Sequence, residues 1–237
     1  ETGYESLMGN VKQMISSQAQ ELLPKDTTDF LHLTGFCMSL HRSLQHRRLY
    51  AASRAARRSK GASGGAGAAE GGKMQPDVHF EAGPMVVSLD RWSFNRLVLE
   101  VDGALAAKNY ANLAAGGALL KEMLSMLFEL ESSTDKVMRT IGTKLRRTVF
   151  RNSSMLELVP RLLNRWEPRT FTRSFVSDLV ESAHVLLKMA AALEKEGAQV
   201  IRRRRMRKEG AGSDDEDKEF KEMVSSFSFS NFTAKFV

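Results

Sequence analysis

The chain has a single cysteine in 237 residues, so no internal disulfide can form. That favours a reducing compartment over secretion. Proline is scarce, at five residues, and tyrosine scarcer, at three. Strict two-residue alternation is confined to SSFSFSNF near the end, which leaves little from which to build a sheet. No run of roughly 18 apolar residues is present, the length that a membrane-spanning helix needs. The beginning shows no basic-then-apolar signal. Catalytic signatures are also missing. There is no G-x-x-x-x-G-K, G-x-S-x-G, H-E-x-x-H or paired C-x-x-C. The expectation is a non-enzymatic chain without cofactor or metal.

What is abundant points to helix. Hydrophobic residues make up 42%, enough for a sizeable core, and Leu, Ala, Lys, Arg, Glu and twelve methionines dominate. Tyr4, Leu7, Met8, Val11, Ile15 and Leu22 describe a first helix, stopped before Pro24. Asp26 or Thr27 can cap a second, with Phe30, Leu33, Cys37, Leu40 and Leu44 inside. It is expected to fray through Tyr50–Lys60. Gly61–Gly72 then reads as a disordered Gly/Ala-rich insert, because glycine loses too much backbone entropy to hold a packed element.

Asp90 can cap a third helix, with Phe94, Leu97, Val98, Val101 and Leu105 on one face. Leu113, Leu120, Met123, Leu124, Leu127 and Phe128 mark a fourth. Asp135 opens a fifth, whose stripe is Val137, Ile141, Leu145 and Val149, with Arg139, Arg146 and Arg147 placed away from it. Ser154 and Glu157 have capping-box spacing and start a sixth, which holds Pro160. A seventh begins at Phe171. Phe175, Leu179, Leu186, Ala190 and Leu193 carry its stripe, widened by Val176, Val180, Ala183 and Leu187. Phe175, Leu179, Leu186, Val149 and Leu145 are the expected core. The pattern is all-α. By itself it leaves open an α-bundle or an α-solenoid, since no crisp 34- or 40-residue repeat is visible.

The net charge of +7 is concentrated. Arg42–Lys60 holds seven cations and no anion, including Arg47, Arg48, Arg54, Arg57 and Arg58. Arg202, Arg203, Arg204, Arg205, Arg207 and Lys208 form a second run, followed by five acidic residues within Asp214–Glu219. Three readings of the second run stay open. It is a solvated helix end whose cations complement the helix dipole, a phosphate-contacting patch that releases counterions, or a nuclear import signal. The first run is expected on a mobile loop, for which two readings stay open: a plain solvated loop, or one that tracks a duplex without reading bases. The expected duplex contacts are Arg202–Arg205, Arg207, Lys208, Arg47, Arg48, Arg57 and Arg58. Without interleaved aromatics, single-strand stacking is disfavoured. Cys37 with His41, His32 and His46 lacks the convergence that a metal needs: on a helix, His32 and Cys37 point about 140° apart.

Three stretches carry a family resemblance. PRTFTRSFVSDLVESAHVLLK, Pro168–Lys188, followed by RRRRMRK, resembles the helix that closes the N-terminal helical-repeat region of the Timeless family. YESLMGNVKQMI near Tyr4 is similar to that family's Y-x-x-L-x-x-x-V-K phrase. FLHLTGFCMSLHR, Phe30–Arg42, is similar to its apolar helix with a terminal Arg. The resemblance covers roughly Tyr4–Arg42 and Asp90–Glu196 and does not extend to Arg47–Pro84. It implies an armadillo/HEAT-like α-solenoid. The organisation it implies is helical repeats over 1–58 and 85–200, a low-complexity linker over 59–84 and a basic-then-acidic linker over 201–219. A following element would begin over 220–237, so the chain reads as a fragment of a longer protein.

The function implied is a nuclear replisome scaffold of the fork protection complex. Its roles would be replication fork arrest and stability, S-phase checkpoint signalling and DNA repair. Its implied partners are a Tipin-like small subunit, the replicative helicase, a Claspin-like mediator and duplex DNA, with no membrane. A helical-repeat adaptor without nucleic-acid binding is the alternative.

Overall fold

The structure is a computed structural model and describes residues 3–18, 23–62, 80–165, 167 and 170–207. Among these residues there are seven α-helices and one 3₁₀ helix, and no strand. The α-helices are α1 (Gly3–Ser17), α2 (Pro24–Ala62), α3 (Arg91–Ala106), α4 (Tyr110–Glu131), α5 (Lys136–Phe150), α6 (Ser153–Asn164) and α7 (Arg173–Arg207). The 3₁₀ helix covers Gly83–Leu89. None of the described helices is long and apolar enough to cross a membrane.

The chain divides into two compact units. The first takes residues 1–90 and 126–145. Its buried apolar set comes from Met8 and Ile15 of α1, Leu31 and Met38 of α2, Met85 and Leu89 of the 3₁₀ helix, and Leu127 and Leu130 of α4. α1 packs on the 3₁₀ helix, which also meets α2. Polar contacts fix that packing. Tyr4 Oη and Ser88 Oγ lie 2.7 Å apart. Lys12 Nζ donates to the Val87 carbonyl and pairs with Asp90 Oδ1 at 2.9 Å. His41 Nε2 sits 2.8 Å from the Glu81 carbonyl.

The second unit takes residues 91–125 and 146–237. In it α6 packs against both α3 and α7. Phe94, Leu97 and Val101 of α3, Leu113, Leu120 and Leu124 of α4, Leu158 and Leu162 of α6, and Phe175, Leu179, Leu186 and Leu193 of α7 are buried. Gly116 and Gly117 lie on α4 beneath Val101 and Phe175 respectively, with no room for a β-carbon at either position. Lys121 Nζ pairs with Asp178 Oδ1 at 2.9 Å, and Arg161 pairs with Asp102.

Helix starts follow local chemistry. Pro24 stands at the first position of α2, where its missing N–H would be unsatisfied anyway. Asp26 Oδ2 accepts from the Leu23 N–H at 3.0 Å. Asp135 Oδ1 accepts from the Val137 N–H at 3.0 Å and starts α5 as expected. Asn152, not Ser154, caps α6, its Oδ1 accepting from the Met155 N–H at 3.3 Å. Thr172 Oγ1 accepts from the Phe175 N–H at 3.3 Å, so α7 begins after Phe171. Phe171 instead stacks on Phe175, with centroids 5.1 Å apart, and meets Tyr110 edge-on at 5.6 Å.

Five expectations need correction. α2 does not fray at Tyr50 and runs through Ala62, because Ala, Arg and Leu are strong helix formers and neither glycine nor proline intervenes between Tyr50 and Gly61. The arginines of that stretch therefore stand on a helix, not a loop. Leu33, Leu40 and Leu44 are exposed; the buried line of α2 runs instead through Leu31, Thr34, Met38 and Gln45.

On α5 only Val149 of the expected stripe is buried. Val137 is exposed, and Ile141 and Leu145 are half-buried, while Gly142, Arg146 and Val149 are buried. The cause is close backbone contact at Gly142 and an ion pair from Arg146 Nη2 to Glu196 Oε2 at 2.6 Å. On α7, Val180 is exposed and Val176 and Leu187 are half-buried, so the stripe is narrower than expected. Residues 63–79 of the insert and 208–237 lie outside the described residues.

Candidate nucleic-acid interface

The exposed cations of the first unit lie along the second half of α2. Arg47, Arg48, Arg54 and Arg57 are exposed. At 100° per residue, positions 47, 54 and 58 fall on one line, with 48 and 57 on opposite flanks. Positions 47 and 58 are about 16 Å apart along the axis. No side-chain hydrogen bond or ion pair with the described residues engages Arg47, Arg48, Arg54 or Arg57. Their neighbours one turn back differ. Arg42 Nη1 and His46 Nε2 both reach Glu129 Oε1, at 3.4 and 3.0 Å. His46 also packs edge-on against Phe80. The helix thus separates side chains engaged by Glu129 from uncommitted arginines.

Arg54 was outside the expected contact set, although its distance of seven residues from Arg47 places it on the same line. Its backbone register could have been read from the sequence, had α2 been extended past Tyr50. Tyr50, Ala51, Arg54 and Ala55 line a shallow depression there, in which Tyr50 is 69% exposed. One aromatic offers a van der Waals surface beside the cations but no stacking platform.

The second run lies on α7. That helix is continuous from Arg173 through Arg207, so Arg202–Arg205 and Arg207 occupy its last two turns. Lys208 lies outside the described residues. Cations at this end complement the partial negative charge of the helix C-terminus. Arg58 belongs to α2 by its backbone.

The lone thiol offers no alternative chemistry. Burial pushes the Cys37 thiol above its ordinary value, which lowers its thiolate fraction. His41 is occupied by the Glu81 carbonyl and His46 by Glu129.

No family model matches this chain. Among curated proteins it is similar to Topoisomerase 1-associated factor 1 of Aspergillus niger. The two are 26% identical over 255 residues, covering 100% of this chain and 20% of the fungal protein. The chain therefore spans about a fifth of the length of that relative.

Proposed function

We propose that this chain is a non-catalytic segment of a Timeless-like, replication-related factor, and that it touches duplex DNA weakly and without sequence preference. The distant relative's name supports the first part. The observation that carries the second is the row of exposed arginines on α2, held on a helix and engaged by no described residue. Arginines so placed match phosphate spacing loosely and present no base-reading geometry. The terminal run on α7 adds a second cationic element.

In this reading the helices stack as an armadillo/HEAT-like solenoid, and the segment works as a nuclear scaffold. Its surroundings would be a replisome with a Tipin-like subunit, the helicase and a Claspin-like mediator. Its contribution to fork pausing, checkpoint signalling and repair is architectural.

A salt-titrated anisotropy measurement on unrelated duplexes tests it. Arg47, Arg48, Arg54 and Arg57 replaced together by Ala should weaken binding equally on every sequence. Each lost phosphate contact should flatten the log–log salt slope by about 0.9. The quadruple Arg202–Arg205→Ala variant should behave likewise. Unchanged affinity and slope in both variants would favour the adaptor without nucleic-acid binding.

A further inference from the structure

α2 carries a second seam. On the side opposite its buried line, Leu33, Phe36, Leu40 and Leu44 are all exposed, Phe36 by 65%. They recur at intervals of three and four residues. The register continues as a strict heptad: Leu33, Leu40, Arg47 and Arg54 occupy one position, and Phe36, Ser43, Tyr50 and Arg57 the other. Both rows are the core positions of a two-helix coiled coil. The seam spans about 36 Å from Leu33 to Arg57, nearly seven turns. Its first half is apolar and its second half cationic.

This polarity identifies what can cover it. A second copy laid antiparallel, with each core row facing the other, sets Leu33 against Arg57 and Phe36 against Arg54. A second copy laid parallel sets Arg47 against Arg47. Either pairing buries unmatched charge. A lipid surface would draw Arg47 and Arg54 toward the acyl region along with the leucines. A duplex would leave Phe36 and Leu40 in water. We propose that the seam seats an amphipathic helix of a separate partner protein, with carboxylates opposite Arg47 and Arg54 and apolar anchors opposite Leu33, Phe36 and Leu40. The docking is antiparallel. Carboxylates at the start of the partner helix are favoured by its own dipole, and they then meet the cationic end of α2. The charged positions set register and orientation, and the apolar ones hold the helix down. This goes beyond the duplex reading and does not depend on it, although both involve Arg47, Arg54 and Arg57.

The test uses the 237-residue chain and two labelled 25-residue peptides, without nucleic acid. Both peptides carry leucines at the core heptad positions of their second half. One has glutamates and the other lysines at those positions of its first half. The glutamate peptide should bind at least tenfold tighter than the lysine peptide. Leu40→Asp should weaken it at least tenfold, leaving the circular dichroism and duplex binding of the chain unchanged. Arg47→Glu with Arg54→Glu should reverse the preference, so that the lysine peptide binds better.

Equal binding of both peptides, or full binding to the Leu40→Asp variant, overturns the proposal. So does a sedimentation dimer that Phe36→Asp dissolves, which would assign the face to a second copy. Phosphatidylserine vesicles bound by the parent chain and not by Leu40→Asp would assign it to a membrane. A peptide of residues 212–229 from this chain binding as tightly as the glutamate peptide would exclude a separate partner.

Discussion

The ring of Phe175 fills the space where a side chain at Gly117 would begin. A β-carbon there would meet Phe175 Cε2 at 2.6 Å and Cδ2 at 2.9 Å. The ring is buried and cannot swing clear as a flexible side chain could. Gly117→Ala gains up to about 1 kcal/mol of helix propensity, but overpacking costs about 1–3 kcal/mol. The variant should lose stability in chemical denaturation. Gly103 is the control: nothing lies within 4 Å of its β-carbon position. Gly103→Ala should be neutral or stabilise by up to about 1 kcal/mol.

Leu179 is fully buried on α7. Leu179→Ala should cost about 2–5 kcal/mol, the range for a leucine truncated inside a core. Urea unfolding checks it. A loss below about half a kilocalorie would mean that the site collapses around the shorter side chain or that the face is not enclosed.

Arg146 has 0% exposed side chain, whereas its partner Glu196 is 39% exposed. The two ends of that pair should therefore respond differently. Arg146→Ala removes a buried side chain with its packing and should cost about 2–5 kcal/mol, the range for truncating a large buried side chain. Glu196→Gln keeps a hydrogen-bond acceptor at the guanidinium, from a position that water reaches, and should cost less. Denaturation midpoints of the two variants give the comparison. Equal losses would mean that the charge, and not the packing, dominates.

Stability should fall at alkaline pH. Burial raises the Tyr4 hydroxyl above its ordinary value, opposed by its hydrogen bond to Ser88. Lys121 is also raised: burial works against its charge, but the hydrogen bond and charge of Asp178, with help from Glu122, outweigh it. Both groups hold their protons more tightly folded than unfolded. Their contribution is complete below about pH 10 and fades as pH climbs through the folded values. Thermal melts between pH 8 and 11.5 should show the decline begin near pH 10. Tyr4→Phe and Lys121→Met together should flatten it.

Much of the fold is legible in the sequence where hydrophobicity and burial coincide. On α7, Phe175, Leu179, Leu186, Ala190 and Leu193 recur at helical spacing, and all are buried. On α5 the same reasoning finds Val149 but misses the rest of the buried face. The residues that face inward there include a glycine and an arginine, which hydropathy scores as breaker and surface. Gly142 is inside because a β-carbon would lie 2.7 Å from the Glu131 nitrogen. Arg146 is inside because Glu196, fifty residues away, meets its charge. Neither fact has a local signature.

On α2 the error has another origin. Two apolar lines share one helix, and periodicity alone cannot tell which one faces the protein. The line with the larger residues, Leu33, Phe36 and Leu40, is the exposed one. The candidate interface was legible in composition but not in geometry. Arginine content marked the stretch, whereas its alignment required knowing that the helix passes Tyr50.

The 35-residue continuity of α7 makes it a counted rod. Its buried end sets an angular zero at Leu193, and every later residue advances that angle by about 100° and the axis by about 1.5 Å. The bearing of Arg202 is thus fixed by arithmetic from the core outward. Adding one alanine between them would turn the whole terminal run by more than a quarter revolution while displacing it hardly at all. Adding seven would nearly restore the bearing and carry the run about 10 Å farther out. Insertions of different length therefore separate the azimuth of these charges from their reach, without altering a single charge.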